Sequence, residues 1–140
     1  MIKIFPLNKF RRLKEFSKVF KINEDTVIAY DGNIYSNKPL YPDVLEHEKV
    51  HLKQQKKYGL LNFTDKYLNN RAFRLEMEAE AYKVQLESIK DEGLREAVRK
   101  DAIIGLTSGL YGKMTKKEAE KLLPNKDKKL DVNKLGGIIY

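Results

Sequence analysis

At 140 residues the chain has the length of one domain, and its 41% hydrophobic content is enough for a modest core. It contains no cysteine, which excludes disulfides, thiolate metal sites and cysteine nucleophiles and leaves histidine, carboxylate and water as transition-metal ligands. The net charge of +8 would suit nucleic acid, but acidic residues are interleaved with the lysines throughout, the pattern of a solvated surface and not of a nucleic-acid footprint.

The chain opens with Ile2, Ile4, Phe5 and Leu7, broken by Lys3, Pro6 and Lys9. No signal-peptide core follows, and no stretch is apolar enough to span a bilayer, so a cytoplasmic protein is the expectation. From Asn8 to Phe20, Phe10, Leu13, Phe16 and Phe20 recur at near-helical spacing among basic residues. A first helix with its aromatic stripe on the core is the favoured reading over a membrane-surface helix. Thr26–Tyr30 and Asn33–Tyr35 flank Asp31-Gly32. Asp-Gly between two β-prone runs predicts an antiparallel hairpin, because a type I′ turn needs positive φ at both central residues.

Pro42 and Asp43 mark the start of the main helix, and Gly59 stops it after Tyr58. A partly helical connection carries Leu60, Leu61, Phe63, Tyr67 and Leu68. A second long helix spans about Asn70 to Lys90, and a third spans Leu94 to Leu106. Thr115 and Glu118 form a capping-box pattern for a short helix ending at Leu123-Pro124. The fold class is α+β, mostly helical, with a small antiparallel sheet. One domain covers 1–123, and 124–140 form a basic tail that ends in an apolar tip, Leu135–Tyr140.

The chemistry concentrates in His47-Glu48-Lys49-Val50-His51, an H-E-x-x-H pattern. Residues i and i+4 stand on one helix face, so both imidazoles can reach one zinc ion. Glu48, beside that face, can take a proton from an attacking water. The chain has only two histidines and both fall in this motif, which argues against accidental spacing. A catalytic zinc needs a third protein ligand, and here it must be a carboxylate. Glu76, Glu78 and Glu80 lie in RLEMEAEAY on the second long helix. Glu76 and Glu80 share a face. Glu76 is therefore the expected third ligand, and Glu80 the acceptor for a ligand histidine's remaining N–H.

HEKVH followed by this helical pair of carboxylates resembles the gluzincin group of zinc metallopeptidases. The short chain is similar to the minigluzincins and to small HExxH proteins encoded by bacteriophages. The likeness runs from VIAYDGNIYSN through HEKVHLKQQ to RLEMEAEAY, roughly half the chain. It implies a zincin-like fold and a zinc metalloendopeptidase with one zinc ion. His47, His51 and Glu76 would be the ligands, Glu48 the general base, and Glu80 the outer partner. It also implies a cleft-rim strand that aligns a peptide or protein substrate by β-addition, for which the hairpin is the candidate. Tyr82, Tyr111 and Arg74 are candidates to stabilise the oxyanion, and the spacing does not choose among them. A second reading is a virion component that keeps the zinc-binding fold and contacts other phage proteins, since a fold does not guarantee turnover. The apolar tail tip would then dock in the cleft or on a partner.

Overall fold

The Asp31-Gly32 turn organises the β part of the protein. In the computed structural model, which describes residues 2–109 and 113–123, Asp31 has φ 50° and Gly32 φ 82°. Both are positive, as the type I′ turn demands. The turn joins β2 (Val27–Tyr30) to β3 (Asn33–Ser36) in antiparallel register, with Tyr30 opposite Asn33. A third strand, β1 (Lys3–Phe5), pairs in parallel with β3. The sheet order is β1-β3-β2, so the sheet is mixed and not purely antiparallel, and β2 is an edge. The sequence does not predict β1, because three residues ending at Pro6 are too few to display a period.

The continuous helix expected over Asn8–Phe20 does not form. In its place are a 3-10 turn at Leu7–Lys9 and a single turn, α1 (Leu13–Phe16). Phe10 between them is extended, with φ −76° and ψ 115°. Its ring packs 5.0 to 5.3 Å from those of Phe16, Tyr35 and Tyr30. Burying Phe10 on the sheet therefore overrides the local helical period, while Phe10 and Phe16 still reach the core.

The helices follow the sequence signals more closely. α2 (Pro42–Tyr58) has proline in its first turn, Asp43 at the positive end of its dipole and Lys56 and Lys57 at the negative end. Gly59, at φ 87°, ends it and permits the sharp entry into α3 (Leu60–Asn69). Asn70 caps α4 (Arg71–Glu87) by accepting from the Phe73 N–H at 3.0 Å. Asp91 does the same for α5 (Glu92–Leu106). The capping box of Thr115 and Glu118 opens α6 (Lys116–Leu122).

α2 is central. One side packs on the sheet, where Leu52 meets Ala29 and Ile34. The other side packs on α4, whose neighbouring face joins Leu86, Ile89, Ala102, Ile103, Leu106 and Leu123 in an apolar core with α5 and α6. The resulting α+β arrangement places the HExxH helix between an edge strand and a second long helix. Among the described residues no helix is long and apolar enough to cross a membrane. The tail 124–140, with its apolar tip, and Tyr111 lie outside the described residues.

Candidate metal centre

His47 and His51 are buried on the α4-facing side of α2, one turn apart. Their Nε2 atoms lie 3.2 Å from each other. The carboxylate facing them belongs to Glu78 of α4. Its Oε1 is 3.1 Å from His47 Nε2, and its Oε2 is 2.8 Å from His51 Nε2. His47, His51 and Glu78 form a buried group able to hold a metal ion.

Glu76, expected to be the third ligand, is not in this group: it is exposed, while Glu78 is only 4% exposed. Two residues along an α-helix turn the side chain by about 200°, so Glu76 and Glu78 occupy opposite faces. Glu80 is corrected as well. It is exposed and accepts from Gln54 Nε2 at 2.7 Å, so it reaches His51 only through that amide. The signal was present in the sequence. Glu76, Glu80, Lys83 and Glu87 recur at four-, three- and four-residue intervals, which is the pattern of a solvated charged stripe. Arg74, Glu78 and Gln85 lie on the other face and are all buried.

The outer partners fix how the imidazoles present themselves. Gln85 Nε2 donates to Asp43 Oδ2 at 2.7 Å, which turns its Oε1 toward His47 Nδ1, 2.8 Å away. Gln54 Nε2 donates to the Met77 carbonyl and to Glu80, which turns its Oε1 toward His51 Nδ1 at 2.9 Å. An amide oxygen only accepts, so both Nδ1 atoms must carry the proton and donate. Both Nε2 atoms are thereby left to face Glu78 and each other. Two imidazole lone pairs 3.2 Å apart repel unless a proton or a cation lies between them.

Without metal, a proton serves. Burial lowers the His51 pKa, but the charge of Glu78, its hydrogen bond, and Glu48 outweigh this and raise it to about 9. Burial pushes Glu78 up, and the attraction of His51, together with hydrogen bonding at the two histidines, more than reverses that, holding it well below its usual range. Tyr67 O–H also donates to Glu78 Oε2 at 2.5 Å. The same donor set fits zinc. Ligand atoms ~2.0–2.1 Å from a tetrahedral ion stand about 3.3–3.4 Å apart, near the separations found here.

Glu48 is buried next to this group, and its carboxylate hydrogen-bonds to none of the described residues. Its pKa is raised by burial, against the pull of His47 and His51 and with the push of Glu78. Glu48, both histidines and Glu78 line a cavity of about 590 Å³. β2 forms one wall, and Phe16, Phe20, Phe63 and Tyr67 form an aromatic side. Of the three oxyanion candidates, Tyr82 stacks edge-on against His47, 4.7 Å between ring centres, and lines the cavity. Its phenol pKa is raised by burial and by Glu78 and Glu48, so the hydroxyl keeps its proton. Arg74 is turned to the end of α3, where it donates to the Tyr67 and Leu68 carbonyls.

Sequence reasoning also missed Gln54, Gln85 and Tyr67. The glutamines have a legible signal: Gln54 lies three residues beyond His51, and Gln85 lies seven beyond Glu78, both on the inner faces. Comparison with known proteins found no matching family model, curated protein or solved structure.

Proposed function

We propose that the chain is a zinc-dependent endopeptidase with a zincin-like arrangement, in which His47, His51 and Glu78 hold the metal and Glu48 handles the proton. One observation carries this reading: two imidazole Nε2 atoms and a carboxylate converge at the floor of an open cavity, beside a second carboxylate without a hydrogen-bond partner among the described residues. Zinc, when bound, supplies the Lewis acidity that polarises a scissile carbonyl and makes water acidic near neutral pH. Glu48 accepts the proton of the attacking water and passes it to the departing amine. A carboxylate with a raised pKa suits both halves of that transfer. Tyr82, held protonated, is the donor we assign to the charge that develops on the carbonyl oxygen. The edge of β2 along the cavity supports a peptide as the substrate, since an extended backbone can pair with it.

The test is Glu48→Gln. It should abolish cleavage of any peptide the wild type cuts while one zinc per chain is retained. Cleavage that survives the substitution would sink the mechanism. A wild type that binds zinc yet cleaves no peptide would favour the virion-component reading.

A further inference from the structure

The open edge of β2 is shorter than the strand, because α2 closes one end of it. In a two-residue hairpin the pair flanking the turn exchanges hydrogen bonds, here Tyr30 with Asn33. Ile28 with Tyr35 is then the next bonded pair, and Val27 and Ala29 point their N–H and C=O groups away from β3. Two outward groups at the turn end are already occupied. Gln55 Nε2 donates to the Ala29 carbonyl at 2.8 Å, and Gln55 Oε1 accepts from the Asp31 N–H at 2.9 Å. The side-chain amide thus fills two adjacent edge positions, as a residue of an added parallel strand would. The other end is closed as well, because the next outward donor, the Asp25 N–H, turns back to Asn23 Oδ1 at 2.8 Å.

We infer that Gln55 is a built-in stop for strand addition, leaving only Val27 N–H, Val27 C=O and Ala29 N–H for a bound peptide and so fixing its register against the metal site. This deepens the peptidase reading and rests on it. Gln55 is buried, lines the same cavity, and follows His47 and His51 at the next i+4 position of α2. One helical turn places it ~6 Å beyond His51, about two residues of extended chain. The substrate it implies is a short extended segment gripped by three main-chain bonds, with further selectivity left to side chains in the cavity. A long strand laid along the whole hairpin would meet Gln55.

The experiment uses zinc-loaded Glu48→Gln protein and a nested set of blocked peptides, two to six residues long, from a sequence the wild type cleaves. Affinity should rise with length and then level off where the peptide meets Gln55. Adding Gln55→Ala should extend the rise by one or two residues, about five-fold for each main-chain bond gained. Amide exchange with Gln55 intact gives a readout that does not depend on that variant folding. Peptide binding should slow exchange at Val27 and Ala29 and leave the protected Asp31 N–H unchanged. Identical length profiles with and without Gln55, or altered exchange at Asp31, would overturn the stop while leaving the peptidase reading intact. If zinc-loaded wild type cleaves no peptide, both fall.

Discussion

α4 has two buried faces built from opposite materials. Toward α2 it presents Glu78 and Gln85, packed against His47 and His51. Toward α5 and α6 it presents Ala79 and Leu86, packed against Ala102, Ile103, Leu106 and Leu123. The apolar interface is satisfied by shape alone, and it gains stability in proportion to area removed from water. The polar interface is satisfied only while every partner is present, since a buried polar group left unpaired costs more than a paired one gains. The first should therefore set how stable the protein is, and the second should set what it binds.

Four substitutions and a pH titration separate the two faces. His51→Ala should act most strongly: it removes one of the three proposed ligands and should abolish stoichiometric zinc binding in a metal titration. Leu106→Ala, at a fully buried site, should cost ~2–5 kcal/mol in denaturant unfolding while zinc affinity is unchanged. An equal loss of zinc in that variant would mean the two faces are not separable. Gln85→Leu should fold and weaken zinc ~10–100-fold, because His47 loses the partner that fixes its tautomer. Glu76→Gln, on the solvated stripe, should change neither property measurably.

The pH dependence should take opposite signs with and without metal. The raised pKa of His51 gives the metal-free protein stability that is complete below about 6.5 and is lost as pH rises through about 9. The lowered pKa of Glu78 gives stability present above about 4.5 and lost as pH falls through its folded value. Metal-free stability should thus be greatest between these limits and decline toward pH 9. Zinc affinity should climb over the same alkaline range, since binding must displace the His51 proton. Unfolding followed against pH in chelator and in excess zinc checks both slopes. Parallel slopes would mean that zinc does not compete with the His51 proton.

Much of this was legible in the sequence where the signal is local. Asp31-Gly32, Pro42, Gly59 and the Thr115/Glu118 box each act within a few residues, and each does what its chemistry predicts. The histidine pair was legible because its geometry is contained in one helix. The carboxylate of the cluster was harder, because choosing between Glu76 and Glu78 requires knowing which face of α4 meets α2. The charged stripe through Glu76, Glu80, Lys83 and Glu87 held that information, and the pairing of acids four apart obscured it. β1 and the broken helix at Phe10 depend on contacts with the hairpin, far along the chain, and no local pattern encodes them.

On the proposed reading, Glu78 completes a metal site with His47 and His51. Zinc titration of purified wild type, Glu78→Gln and Glu76→Gln decides whether it does. One zinc per chain in wild type and Glu76→Gln, with binding lost in Glu78→Gln, is the predicted result. Absence of zinc in wild type, or tight binding that survives Glu78→Gln but not Glu76→Gln, would contradict it.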